Sequence, residues 1–464
     1  MSNLDRIADA RAKAFADTPA RSRLAMLFDP DTFVEVDGFV AVDGAPSGVV
    51  CGFGAVKGSP AYAFAQDASE NGGAVGRAHA AKIRKIFDLA LKTGAPVVGI
   101  YDSMGARISE GAGALNAYGD MLLAVNNLSG VVPQLSVVLG TCAGSSALMA
   151  CCADFVIMSK KAEFFVTQPE KGRESAGSAA DAALSGVAHI VRDDEESSIK
   201  AARDIISMMP LNNLAAPPVL NYAEDAQAPE ALRAACADIE GASARDIVSG
   251  VCDTGSVIEL FSDFGKNVYA GMGTLGGFAC GVIATAGKTL CADCCNKIAK
   301  LVSVWDAFQI PVLTFVNTAG LESGADSGAV RDMAKLAHVY AEATTAKMAV
   351  ITGKAYGSAY VALASKAAAS DYTVAWPSAV ISALAPKTAV AFSYADRITA
   401  DKSREAVEAD YIENEASPFT AAAGGHIDDV IDPAVTRPAL IAAMDLLSAK
   451  RVHKNPKKHG NIPF

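Results

Sequence analysis

Basic charge is in short supply in this 464-residue chain: 40 Lys and Arg face 51 Asp and Glu, a formal net charge of −11. That balance excludes nucleic acid as the main partner, because phosphate contacts need an excess of cations. A local basic patch for a phosphorylated small molecule stays open. Aromatics are also scarce, at 7% with two Trp, so the core must be built from close helix–sheet packing of small residues. No apolar run reaches the roughly 20 residues that span a bilayer. The opening stretch MSNLDRIADARAKAFADTPARSRLAMLFD mixes charges at helical spacing and lacks the apolar segment of a signal peptide. A cytoplasmic protein without a direct membrane span is expected. Ten scattered cysteines do not form a disulfide framework. CADCC (Cys291–Cys295) holds one CxxC, but no second CxxC or His pair completes the four ligands of a structural zinc site. No metal site is expected; reduced, buried cysteines are, with a functional CxxC, zinc-binding or redox, as the alternative.

What the chain does have is length and an internal repeat. Its length exceeds one ordinary core, so two domains are expected. GAPVVGIYDSMGARI (Gly94–Ile108) is followed by PQLSVVLGTCAGSSALMACCADFVIM (Pro133–Met158). FQIPVLTFVNTAGLESG (Phe308–Gly324) is followed by AKMAVITGKAYGSAYVALASKAAASDYTVAW (Ala346–Trp376). Pro96 and Pro311 are 215 apart; Gly140 and Gly353, like Gly144 and Gly357, are 213 apart. Matched punctuation at a fixed long offset marks duplication. The segments VVGIYD, LSVVLG, VLTFVN and MAVITG are short, β-branched and weakly alternating, the pattern of strands buried on both faces and alternating with helices. Each half is therefore an α/β unit with crossover connections. The Pro-, Asn- and Ala-rich stretch Met208–Cys236 separates them, which places the domains at 1–235 and 236–464.

The turn GTCAGSS (Gly140–Ser146) allows three readings. A serine nucleophile would need a nearby base, usually a His held by an Asp. The chain has only six His, none in such a motif, and C-A-G-S-S is not the G-x-S-x-G elbow. A second reading is a turn made for tight packing alone. The third is a backbone anion hole: AGSS opens a helix, whose first N–H groups lack partners and favour an anion. YGSA (Tyr356–Ala359) stands at the matching place, so two such holes are expected. Loss of one donor from an oxyanion hole typically costs about 10²–10³ in rate.

Several of these motifs resemble the carboxyltransferase subunits of biotin-dependent acyl-CoA carboxylases, propionyl-CoA carboxylase β type, and the related acyl-CoA decarboxylases. The resemblance is carried by Phe64–Leu115, SGVAH (Ser185–His189), WDAFQIPVLTFV (Trp305–Val316), GKAYGSAY (Gly353–Tyr360), AWPSAVISALAPKTAV (Ala375–Val390) and KKHGNIPF (Lys457–Phe464). It runs in order through nearly the whole chain.

The resemblance implies two tandem crotonase-like (ClpP/crotonase) α/β domains, acyl-CoA on the N-terminal side and biotin on the C-terminal side. It implies sites formed where one subunit's N-half faces another's C-half, in a homo-hexamer built as a trimer of dimers. Carboxyl transfer between carboxybiotin and the acyl-CoA α-carbon would use two enolates, each needing backbone donors. Carried over, the amides of Gly144 and Ser145 would hold the thioester oxygen, and those of Ser358 and Ala359 the biotin ureido oxygen. Gly105, Ala106, Arg107 and Ala143 would line the acyl-CoA side, with Val361 near the acyl α-substituent; an apolar residue there suits propionyl- or methylmalonyl-CoA. Gly320, Gly324, Tyr356 and Gly357 would line the biotin side. Arg77, Lys82, Arg84 and Lys85 offer a cationic cluster for CoA phosphates, or an ordinary solvated helix face. Implied partners are a biotin carboxyl carrier protein, with a biotin carboxylase subunit or a membrane decarboxylase subunit to which the chain would be peripheral.

The chain departs from the family pattern in AGLESGADSG (Ala319–Gly328), which is short and carries no Pro, and in GSAY where the family has GGAY. Glu322 and Asp326 are unusual acids in that loop. Two alternatives follow: a biotin-independent crotonase-like enzyme, which would need a placed carboxylate or imidazole, and a scaffold subunit that has lost its site.

Overall fold

The computed structural model describes residues 3–42, 44–172, 175–222, 229–322 and 327–463. The chain divides into two compact units, Met1–Ala216 and Pro217–Phe464. This division precedes the boundary expected at 235/236. The physical reason is helical: Leu232 is buried in the second core with Ile247, Val248 and Val251, so the segment around it folds with the second sheet.

The first unit begins with helices α1 (Asn3–Ala14) and α2 (Pro19–Leu27). Its strands are β1 (Val34–Val36), the small hairpin β2 (Ala41–Val42) and β3 (Ala45–Pro46), β4 (Val49–Val56), β5 (Ser59–Gln66), β6 (Val97–Ser103), β7 (Gln134–Ala143), β8 (Phe155–Ser159), β9 (Glu163–Phe165) and β10 (Ile190–Arg192). The main sheet runs β1-β4-β5-β6-β7-β8-β10, with β9 paired to the far end of β7. β1, β4 and β5 pair antiparallel; from β5 to β10 every pairing is parallel. The helices are α3 (Arg77–Thr93), α4 (Ala112–Leu128), α5 (Ser145–Cys151), α6 (Ala179–Leu184) and α7 (Glu195–Met208). α3 turns Ala80, Ile83, Phe87 and Ala90 inward at helical spacing and ends at Gly94, whose φ of 67° only glycine adopts without strain. β6 and β7 are buried along almost their whole length, as strands between helix layers must be.

The second unit repeats this plan. After α8 (Pro229–Ala237) and α9 (Ala244–Val251) come β11 (Ile258–Glu259), β12 (Val268–Leu275), β13 (Phe278–Thr285), β14 (Val312–Thr318), β15 (Lys347–Tyr356), β16 (Tyr372–Ala375), β17 (Val380–Ser382) and β18 (Asp429–Val430). The order is β11-β12-β13-β14-β15-β16-β18, with β17 on β15, strand for strand the order of the first sheet. α10 (Ala292–Ala307), α11 (Ser327–Glu342) and α12 (Ser358–Leu363) occupy the places of α3, α4 and α5.

The duplication reaches individual side chains. Lys82 on α3 is buried and donates to Val49 O, the first residue of β4. Lys297 on α10, 215 positions later, is buried and donates to Val268 O, the first residue of β12. Asp154 accepts from Gln134 N at the start of β7, and Asp371 accepts from Lys347 N at the start of β15, both at 2.8 Å. Register breaks at the same point of each sheet, between Tyr101 and Ser103 in β6 and between Val316 and Thr318 in β14. Such a bulge re-aims one residue: Asp102 in the first unit and Asn317 in the second.

Among the described residues, no helix is long and apolar enough to cross a membrane.

Candidate active site

In the first unit, β7 ends at Ala143 and α5 begins at Ser145. Between them Gly144 takes φ 62°, ψ −134°, a conformation that strains any residue with a Cβ. Its N–H is donated to Phe165 O on β9 at 2.9 Å. Of the two donors expected at this turn, Gly144 is thus already engaged. The amides left without a partner among the described residues are those of Ser145 and Ser146. β9 therefore ties the turn down while the next two N–H groups stay unspent.

The second unit repeats the arrangement. Gly357, at φ 50°, ψ −124°, joins β15 to α12 and donates its N–H to Ser382 O on β17 at 3.0 Å. Ser358 and Ala359 follow with unspent amides. The helices behind these turns are short, 7 residues for α5 and 6 for α12. Helices this short have little dipole, so any anion at either turn would be met by the individual N–H groups.

Each turn rests on the bulged strand beside it. The Asp102 carboxylate lies against Gly140 and is held by Arg23, Nη1 to Oδ2 at 2.8 Å. Arg23 also pairs with Glu195 at 2.6 Å and is itself buried. In the second unit Asn317 lies against Gly353, and its Oδ1 accepts from Lys354 N at 3.0 Å. One position on, the hydroxyls repeat: Ser103 Oγ accepts from Gly105 N at 3.1 Å, and Thr318 Oγ1 from Gly320 N at 3.3 Å. Both glycines have φ 105°, and their carbonyls accept from Val75 N and Leu290 N, each at 2.8 Å. These supports escaped the sequence reading. The signal was there: DSMG (Asp102–Gly105) and NTAG (Asn317–Gly320) place an Asp/Asn, a Ser/Thr and a Gly at one offset.

Of the residues expected on the acyl-CoA side, Gly105, Ala106, Arg107 and Ala143 come together. A Cβ on Gly105 would lie 3.4 Å from Ala143 O, so the 105–107 loop lies against the first turn. Ala106 bridges Val75, and Arg107 N donates to Val75 O. The Arg107 side chain is largely buried, 3.9 Å from Glu110. Glu110 also accepts from Arg77 N at 2.8 Å, capping α3, and fills the space a Cβ on Gly76 would need.

The cationic cluster proves divided. Lys82 points into the core, and burial pulls its pKa down. Lys85 pairs with Asp37, and Arg84 lies near Asp88 and Asp120. Arg77 is the most exposed of the four, its side chain 77% accessible. Lys82 is the one of the four that falls on the buried face of α3, with Ile83 and Ile86.

In the second unit Gly320, expected on the biotin side, has open space around it: nothing lies within 4 Å of an added Cβ. Tyr356 is half-buried, and burial pushes its phenol up to about 12, so it stays protonated. Val361 projects from α12 with 55% exposure. Gly324 and Asp326 lie outside the described residues; Glu322 bonds Leu290 O through its N–H.

Among the described residues, no imidazole or carboxylate is bonded to the hydroxyl of Ser145 or Ser146. Ser146 Oγ is buried and bonded at 2.6 Å to Tyr118 Oη, a phenol that burial pushes up to about 12. Ser145 Oγ has no hydrogen-bond partner among the described residues. His79 is buried, and desolvation, with the charge of Lys82, holds its pKa down at about 3. His189 is buried and accepts from Val156 N through Nδ1. Both imidazoles serve their own cores.

Two duplicated, mostly parallel sheets, each with a glycine turn and unspent amides, define a tandem crotonase-like enzyme. The chain belongs to the carboxyl transferase family: residues 16–462 match the family described as carboxyl transferase domain. It is 36% identical to the methylmalonyl-CoA decarboxylase subunit alpha of Veillonella parvula, over 96% of this chain and 93% of that one. It is also 36% identical to the propionyl-CoA carboxylase carboxyltransferase subunit of Haloferax mediterranei, over 99% and 96%. In structure it is similar to transcarboxylase 12S, solved as a hexamer with methylmalonyl-CoA bound, with a TM-score of 0.90 at 32% identity, over 99% of this chain and 95% of that one.

Proposed function

We propose that the chain transfers a carboxyl group between carboxybiotin and the α-carbon of an acyl-CoA, with propionyl- and methylmalonyl-CoA as the favoured pair. The observation that carries this reading is the matched pair of glycine turns with unspent amides, in a chain of the carboxyl transferase family. Relatives named for both acyl-CoAs support the choice of substrate.

The first turn serves the acyl-CoA. Its thioester oxygen gains negative charge as the α-carbon becomes an enolate. The Ser145 N–H, with its neighbour Ser146, stabilises that charge without reorganising, because β9 and Asp102 already fix the turn. Gly144 contributes its conformation, and Ser145 its amide; its hydroxyl is optional. Gly105, Ala106, Arg107 and Ala143 line this side, and Val361 meets the α-substituent.

The second turn suits a biotin ureido oxygen: two unspent amides at Ser358 and Ala359, a phenol that stays neutral at Tyr356, and room over Gly320. Bound there on a separate carrier protein, biotin would supply the carboxyl group and take up the α-proton, or in the reverse direction take up the carboxyl group and give the proton back. Gly320, Gly324, Tyr356 and Gly357 line this side. The two sides belong to different subunits of a homo-hexamer, and a biotin carboxylase or a membrane decarboxylase subunit completes the system. The same turns serve carboxylation and decarboxylation, since the enolates are shared.

The test is direct. The purified chain is given free biotin with methylmalonyl-CoA, malonyl-CoA or glutaconyl-CoA, and carboxyl transfer to biotin is followed. Transfer is expected from methylmalonyl-CoA. Intact CoA binding without transfer from any of the three overturns the reading.

A further inference from the structure

The CxxC takes no part in the chemistry above, yet its geometry is specific. Cys291 is the N-cap of α10 and is half-buried; Cys294, in the first turn, is buried. Their sulfurs are 3.1 Å apart. A disulfide needs about 2.05 Å between sulfurs, so bond formation asks only for small side-chain adjustments at the helix start. Positions three apart on a helix share a face, which is why C-x-x-C at a helix N-terminus can close a ring. No acid or histidine completes a metal site around the pair among the described residues. Burial, with the neighbouring Cys291 thiol, pushes Cys294 up to about 12.

The residue before the pair is structurally committed. Leu290 N donates to Gly320 O at 2.8 Å, and Leu290 O accepts from Glu322 N at 3.0 Å. The cysteine pair is thus one residue from a bridge that holds the loop at the end of β14.

We propose that Cys291 and Cys294 form a dithiol–disulfide site that reacts with low-molecular-weight disulfides and sets the mobility of the Gly320–Glu322 segment. Cys291, the more exposed thiol at the helix N-terminus, attacks as thiolate. Its sulfur bonds to one sulfur of the small disulfide, whose S–S bond breaks and releases the first small thiol. Cys294 then attacks Cys291 Sγ, closing the intramolecular bond and expelling the second small thiol. Two electrons pass from the protein to the small disulfide, and the two thiol protons end on the two small thiols. An effect on the biotin side rests on the function proposed above; the disulfide itself does not.

The experiment equilibrates the full chain with oxidised and reduced glutathione at a series of ratios. Remaining thiols are alkylated, and the peptide holding Cys291 and Cys294 is weighed. The expected result is loss of both free thiols with no bound glutathione, reversed by reductant, together with slower hydrogen exchange at the Gly320–Glu322 amides. C291S and C294S, in which this pair cannot close, are each expected to hold glutathione at the remaining member of the pair or to keep it, like the buried Cys295 in the same peptide, as a free thiol. Both thiols still free when the exposed Cys151 has reacted overturns the proposal. So does a disulfide that leaves exchange at Gly320–Glu322 unchanged. If the reduced chain moves no carboxyl group to biotin, the functional reading fails while the thiol and exchange measurements still decide this one.

Discussion

The carboxylate of Asp102 occupies the space a Cβ at residue 140 would need: such an atom would lie 2.1 Å from Asp102 Oδ1. In the second unit a Cβ at residue 353 would lie 2.5 Å from Asn317 Oδ1. One glycine in each central strand lets a polar side chain from the neighbouring strand buttress the turn beyond it.

Gly140→Ala and Gly353→Ala are therefore expected to be costly, at about 1–3 kcal/mol each by overpacking. Denaturant midpoints of the two variants against the parent chain measure this. A Gly140→Ala midpoint equal to the parent's shows that Asp102 can step aside freely.

Ser358→Pro removes an amide donor from the second turn. Transfer is expected to fall about 10²–10³-fold, whereas Ser358→Ala retains most of it because the N–H survives. Ser145→Ala at the first turn is likewise expected to stay active. Rates with free biotin, with circular dichroism as a check on folding, separate these outcomes; equal rates for Ser358→Pro and Ser358→Ala remove the assigned donor.

Glu110 ties the 105–110 segment to the start of α3 by accepting from Arg77 N. Glu110→Ala removes that cap, at a cost of about 1 kcal/mol, and loosens the loop beside Ala143. A lower Tm and a raised KM for acyl-CoA at nearly unchanged kcat are expected. An unchanged KM shows that the loop holds itself.

Stability against pH reports on His79. Desolvation and the charge of Lys82 hold its native pKa at about 3, while an unfolded His titrates near 6.5. Below about pH 6.5 the unfolded chain takes up a proton that the native chain refuses. His79 therefore lowers stability as pH falls, by about 1.4 kcal/mol per unit between roughly 6.5 and 3. Urea midpoints from pH 7.5 to 5 are expected to drop more steeply for the parent than for His79→Gln. Parallel slopes exclude His79 as the source.

Much of the plan was legible because duplication writes itself twice. Gly144 and Gly357 stand at one offset with strands before and helices after them, and both turns adopt the same left-handed glycine conformation. What stayed hidden depended on direction. Lys82 sits among Arg77, Arg84 and Lys85 in sequence, but helical rotation sends it alone into the core. The domain boundary lay hidden for a similar reason: Leu232 follows a Pro-rich stretch, and only its packing assigns it to the second unit.

The sequence alone determined the repeat, the parallel α/β class and the turns, since these rest on periodicity, punctuation and the unique freedom of glycine. Tertiary structure decided which amides are spent. Phe165 and Ser382 lie 21 and 25 residues beyond the glycines they engage (165 − 144 and 382 − 357). Each reaches its glycine only because a short strand folds back beside the end of β7 or β15. Hydrogen bonds formed across such a return path are set by packing, and no local pattern encodes them.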